Sequence, residues 1–115
     1  MTTGTASVIY FERDAYKVDE SYRDLLEAHA SRMRARPQLR LRLEAWTDRQ
    51  GSTEYNRALA RKRAQTVMKE LVARGVPAER IEIAGLGERG APRAGTSAAN
   101  AGDRRVELIY RPAGP

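Results

Sequence analysis

The chain contains no cysteine and only one histidine, His29. The first absence excludes disulfides, thiolate nucleophiles and cysteine-ligated metals, and leaves no site for lipidation within this sequence. The second leaves too few imidazoles for a histidine metal cluster and argues against a Ser-His-Asp triad; on its apolar helix face His29 reads as a packed side chain. No apolar run approaches the roughly 18 residues that a membrane-spanning helix needs. The glycine-rich Gly85-Leu86-Gly87-Glu88-Arg89-Gly90 lacks the Lys-Ser/Thr pair and the following helix of a phosphate loop. Ser52, Ser97 and the threonines have no base placed beside them by pattern. Neither enzymatic activity nor a bound cofactor or metal is expected.

What is present is a 115-residue chain, enough for one domain with one core. Its formal net charge is +6, and lysine occurs only at Lys17, Lys62 and Lys69, so all but three of the 21 basic residues are arginines. Arginine is the planar, bidentate cation suited to carboxylate and phosphate. Such a chain attracts polyanions: nucleic acid, anionic lipid or an acidic wall polymer. It is equally what a well-solvated basic surface looks like, so charge alone does not choose.

Met1 to Ser7 is small and polar, without the basic start, apolar stretch and cleavage motif of a signal peptide, and is expected to be a disordered N-terminal segment. Residues 8–110 form the domain, and 111–115, with two prolines and a glycine, read as a tail. Ser7 to Phe11 is β-branched and aromatic, which predicts a strand. Tyr22, Leu25, Leu26, His29 and Met33 then share one helical face, capped by Asp19 and stopped before Pro37. Leu39, Leu41, Leu43 and Ala45 alternate with Arg40, Arg42, Glu44 and Trp46, the period of a half-exposed strand. After a turn at Thr47 to Gly51, a helix over 53–74 is predicted, capped by Ser52. Its stripe is Tyr55, Leu59, Ala64, Val67, Met68 and Leu71, and it closes at Gly75. Arg80 to Leu86 is a third strand; a glycine-rich loop from Gly87 to Gly102 leads to a fourth, Arg105 to Tyr110. The class is α+β: two helices packed on a small mixed sheet, in the order β-α-β-α-β-β.

The densest polar cluster lies between Thr47 and Arg63. Asp48 sits at a strand end, where a rigid scaffold often holds binding groups, and the return of the following helix over the sheet can bring Arg63 back beside it. A carboxylate and a guanidinium a few ångströms apart suit a zwitterion, one taking an ammonium and the other a carboxylate. The other reading is that Asp48 caps its turn and Arg63 is one more solvated helix arginine.

A longer string of residues bears on that choice. Thr47-Asp48, Gly51, Tyr55-Asn56, Leu59, Arg63-Ala64, Val67, Leu71, Gly75-Val76, Gly85-Leu86-Gly87-Glu88 and Arg104-Arg105-Val106-Glu107, with Tyr10-Phe11, Asp14 and Leu26 to Ala30 upstream, resemble the OmpA-like domain family, and within it the peptidoglycan-associated lipoproteins. The resemblance runs from about Val8 to Tyr110. It implies a non-catalytic, periplasmic, peptidoglycan-binding module associated with the outer membrane, anchoring that membrane to the wall through the diaminopimelate of the peptide stem. By that resemblance Asp48 takes the ligand's ammonium and Arg63 its carboxylate. Thr47 and Asn56 are polar positions of the same pocket. Asp14 lies in the first strand-to-helix turn that meets the ligand, and Arg104 opens the last strand beside it. Leu59, with Tyr55, is expected to wall the site or pack in the core. Relatives of this kind also meet a Tol-system partner.

Departures from the family pattern stand at Ala45 and Trp46, where glycine and histidine or asparagine are usual, so Trp46 is a possible pocket wall or simply packs. Asp103 replaces an asparagine and Arg13 a phenylalanine. A competing expectation is a basic nucleic-acid-binding α/β module, but no exposed aromatic pair or RNP-type run supports RNA stacking. Asp48 and Arg63 both read as surface groups. Alanine at either is therefore expected to weaken binding by at least about tenfold and leave the fold intact.

Overall fold

Strand alternation decides which face of the sheet is covered. The computed structural model describes residues 5–88 and 101–111. In β2 (Arg40–Trp46), Leu41, Leu43 and Ala45 turn into the core, while Arg42, Glu44 and Trp46 turn to the opposite face. The same division runs through β1 (Thr5–Tyr10), β3 (Ile81–Gly87) and β4 (Arg105–Arg111). Ile9, Ile81, Val106 and Leu108 join the inner face. The four strands form one sheet in the order β1-β4-β2-β3, with β4 antiparallel to both neighbours and β2 parallel to β3.

Two helices cover the inner face. α1 (Arg23–Ala35) contributes Leu26, Ala30 and Met33, and α2 (Thr53–Ala73) contributes Ala60, Ala64, Val67 and Leu71. α2 is the crossover between the parallel strands β2 and β3, which is why a helix must intervene there. It lies close: a Cβ added at Gly85 would stand 3.2 Å from the Arg61 backbone nitrogen, so the small residue is what lets the helix approach β3. The Ser52 side chain accepts from the Tyr55 amide at 3.0 Å, satisfying one orphan donor at the α2 N-terminus. Ser52→Ala should therefore cost about 1 kcal/mol in urea unfolding, with the midpoint moved and the slope unchanged.

Several boundaries differ from expectation. β1 reaches back to Thr5, into the stretch assigned to the N-terminal segment, and β4 runs on to Arg111. β3 is shifted one residue later than expected. Asp19 caps a short 3-10 turn, Glu20–Tyr22, by accepting from the Ser21 amide, and this turn feeds α1 at Arg23. Tyr55, placed on the buried stripe of α2 by sequence, is 45% exposed, and Met68 is only partly buried. Most of the glycine-rich loop, including Ser97, lies outside the described residues.

His29 is buried on α1, its Nε2 2.8 Å from the Ser7 hydroxyl and its Nδ1 2.6 Å from the Tyr110 hydroxyl, so it ties α1 to β1 and β4. Burial lowers its pKa below the ordinary 6.5, and Arg32 adds to the effect. The folded state thus takes up this proton less readily than the unfolded chain. Its contribution to stability is complete above pH 6.5 and is lost as the pH falls toward the lower folded value. Melting temperatures measured between about pH 7.5 and 5 should fall in the wild type and fall less in His29→Gln. Parallel profiles for the two proteins would remove His29 from the account.

Candidate functional site

The end of β2 and the start of α2 are joined by a turn that builds the site. The Thr47 amide donates to the Gly87 carbonyl at 2.7 Å, holding the turn against β3, and Thr47 is buried with its Oγ1 unpartnered. Asp48 follows, 6% exposed. Its Oδ1 accepts from the Gln50 amide at 3.0 Å, a side-chain mimic of a backbone turn. Gly51 then takes a φ of +87°, a left-handed conformation that side chains resist, and the chain enters α2. The residues Thr-Asp-x-x-Gly-Ser are thus read locally as strand end, turn and cap.

One turn into α2, Asn56 is 1% exposed and donates through Nδ2 to Glu88 Oε1 at 2.9 Å. Glu88 Oε2 also stands 3.6 Å from Arg49 Nη1. Glu88 was not among the expected site residues. From just beyond β3 it holds Asn56 and stands near Arg49.

Arg63 lies two helical turns beyond Asn56 on the same face, with no exposed surface at all. Its guanidinium donates to three backbone carbonyls: Nε to Ala15 at 2.8 Å, Nη1 to Trp46 at 3.2 Å and Nη2 to Glu12 at 3.1 Å. It also stacks 5.3 Å from the Phe11 ring centroid. The expectation that Arg63 is a surface group is therefore corrected: it pins the 12–15 segment to β2 and α2. Asp48 is likewise buried rather than superficial. Among the described residues no carboxylate forms an ion pair with Arg63, so its charge is satisfied by carbonyl dipoles rather than neutralised. Burial lowers its pKa to about 10, with Arg104 adding repulsion and Asp48, Tyr55 and Asp14 opposing. It remains a cation at neutral pH.

Arg104 is the guanidinium that borders Asp48. Its Nε donates to the Phe11 carbonyl at 3.0 Å and its Nη1 approaches Asp48 Oδ2 at 3.5 Å, a loose contact. Asp14 is exposed, in a left-handed conformation with φ of 59°, and its Oδ1 accepts from the Tyr55 hydroxyl at 3.1 Å. That bond links the first loop to α2 and raises the Tyr55 pKa.

Leu59 is buried yet stands outside the main core cluster. The Trp46 side chain turns to the open face of the sheet, beneath the Arg105 guanidinium at 4.8 Å, and only its carbonyl reaches Arg63. Asp103 has one buried oxygen without a partner, and its pKa is raised by burial and by Asp48. The structure thus brings together Asp14, Thr47, Asp48, Asn56, Arg63 and Arg104 from four separate segments. A carboxylate with one loosely held oxygen faces a wall whose arginine charge is not neutralised. In charge pattern that arrangement is complementary to a cation and an anion side by side.

Known proteins share this framework. The OmpA family matches residues 10–105. The peptidoglycan-associated lipoprotein of Pasteurella multocida (strain Pm70) is 35% identical over 105 residues, 90% of this chain and 70% of that protein. The corresponding lipoprotein of Haemophilus influenzae is 34% identical over 105 residues, 90% of this chain and 69% of its own length. Among solved structures, the peptidoglycan-associated lipoprotein of Burkholderia pseudomallei superimposes with a TM-score of 0.87 at 34% identity, covering 90% of this chain and 89% of that one. The C-terminal domain of Helicobacter pylori MotB shares the fold alone, with a TM-score of 0.80 at 18% identity, over 91% of this chain and 84% of that chain.

Proposed function

The chain belongs to the OmpA family, and from that membership and the Asp48 pocket we propose that it binds peptidoglycan without catalysing a reaction, linking the outer membrane to the cell wall from the periplasmic side. The recognised group is the zwitterionic end of diaminopimelate in the peptide stem. Its ammonium takes Asp48, with Asp14 alongside, and its carboxylate faces Arg104. Arg63 acts from behind the 12–15 wall. Lacking exposed surface, it supplies a positive field that the carbonyls do not cancel, and it holds the loop that carries Asp14. Thr47 and Asn56 fix the turn and the helix start on which Asp48 depends.

The observation that carries this reading is the buried, un-neutralised Arg63 beside Asp48 in a chain of this family. A basic nucleic-acid module draws no support. The open sheet face where bases would stack is tiled by Arg42–Glu44, Arg42–Glu82, Arg105–Glu107 and Arg111–Glu82 pairs. A Tol-system protein partner remains part of the proposal by family membership.

Titration with a diaminopimelate-containing stem tripeptide, against the lysine-containing equivalent, tests the reading. The two differ by the side-chain carboxylate, so the first should bind about tenfold or more tightly, with amide shifts at Thr47, Asp48 and Asn56. Equal affinities would exclude carboxylate recognition.

A further inference from the structure

We propose that the outer face of α2 docks on a surface of anionic phospholipid, a contact carried by residues outside the Asp48 pocket. Arg57, Arg61, Lys62 and Lys69 are all exposed on this helix. At 3.6 residues per turn they fall within an arc of about 140°, on the side away from the residues that α2 buries. From Arg57 to Lys69 the row runs about 18 Å along the helix axis.

The charge of this row is unmatched. Arg34, Arg42, Arg74 and Arg105 each pair with a carboxylate nearby in sequence. Among the described residues none of the four α2 cations has such a partner. Arg57 and Arg61 stand four residues apart, where like charges repel and weaken a helix. They are also held against the sheet edge: a Cβ at Gly87 would meet the Arg57 side chain at 3.5 Å, and one at Gly85 the Arg61 side chain at 3.4 Å. An anionic partner would relieve that repulsion.

Apolar side chains decide the kind of anion. Val72 is 41% exposed, and with Gln65, Met68, Lys69 and Ala73 it lines a shallow depression of about 510 Å³. Tyr16, 48% exposed, stands at the other border of the row, its ring centroid 5.3 Å from the Lys62 ammonium. Of the four large hydrophobic side chains exposed among the described residues, two therefore flank these cations. A nucleic-acid backbone or an acidic glycan offers charge to the arginines but little to a valine and a methionine. The boundary of a bilayer offers phosphate and acyl carbon together, and a tyrosine suits that boundary. Long basic side chains reach the phosphates from beside the apolar patch. The opposite side of α2 is core, so the helix rests on the headgroups and does not cross them.

Cosedimentation of the full chain with vesicles tests the contact. Mixed phosphatidylglycerol–phosphatidylcholine vesicles should bind it at low salt, and phosphatidylcholine alone should not. Each Lys or Arg at an anionic surface contributes about fivefold, so Arg57→Gln with Arg61→Gln should weaken binding about twentyfold. A melting temperature equal to or above that of the wild type shows the double variant folded. Arg23→Gln with Arg36→Gln removes the same charge from exposed positions at the two ends of α1 and should cost less than about threefold. Val72→Ser should cost about threefold through the lost apolar contact. An equal loss from the two arginine pairs would leave net charge as the only cause and overturn the face. Binding to both kinds of vesicle alike, or to neither, would overturn it too. Displacement by polyuridylic acid at equal phosphate concentration, with Val72→Ser having no effect, would assign the row to a free polyanion and overturn the lipid contact.

Discussion

Arg63→Ala should destabilise the fold by about 3 kcal/mol and lower the melting temperature by roughly 10–20 °C. Three carbonyls, those of Glu12, Ala15 and Trp46, lose their donor together, and each buried acceptor left unpaired costs about 1–3 kcal/mol. The void left beside Phe11 adds to this, and relief of the desolvated charge subtracts. Stem binding should be lost as well, because the 12–15 loop and the positive field go with the side chain. Arg63→Lys separates the two effects. It keeps the charge but lacks the planar fork that reaches three carbonyls, so it should recover binding only in part and stability by less than half. Urea unfolding of both variants checks this, and a loss below about 1 kcal/mol for alanine would contradict the keystone role.

Asp48→Asn should do the opposite: weaken stem binding about ten- to a hundredfold while moving the melting temperature by no more than a few degrees. Asparagine keeps an oxygen to accept from the Gln50 amide, so the turn survives. What disappears is the charge, and with it both the ammonium partner and the loose contact with Arg104. Calorimetric titration beside a thermal melt reads both quantities on one sample. Binding reduced less than about threefold in a folded variant would move the ammonium site elsewhere.

The elements of the fold were legible where local chemistry decided them. Ser52 announced the start of α2, alternation in 40–46 announced β2 and its inner face, and Gly75 closed the helix, since each depends on a few adjacent residues. Within the site, the residues singled out by resemblance come from segments that the fold brings near one another, but Asp48 and Arg63 were read as surface groups and are buried. Arg63 reads as solvated because arginine usually is. Yet Asn56, Ala60, Arg63, Ala64, Val67 and Leu71 follow one helical stripe, and that stripe was the signal that the arginine points inward. Tyr55, an aromatic adjacent to the stripe, was drawn onto it by hydrophobicity and instead stands outside, bonded to Asp14. The carbonyl cradle had no signature in sequence: Glu12, Ala15 and Trp46 contribute backbone, which every residue possesses.

That order has a consequence for how the chain is born. β4, the last of the described strands in sequence, is an interior strand of the sheet, wedged between β1 and β2. Until it arrives, β1 has no neighbour to pair with, and the β2-α2-β3 unit stands with one flank bare. A chain delivered N-terminus first, from a ribosome or through a translocation pore, therefore cannot complete its sheet until residues 105–111 have emerged. The sheet is therefore completed only late in delivery, when β4 inserts between β1 and β2. A stop between β3 and β4 leaves the two strand edges that β4 would join, those of β1 and β2, open to pairing with another chain.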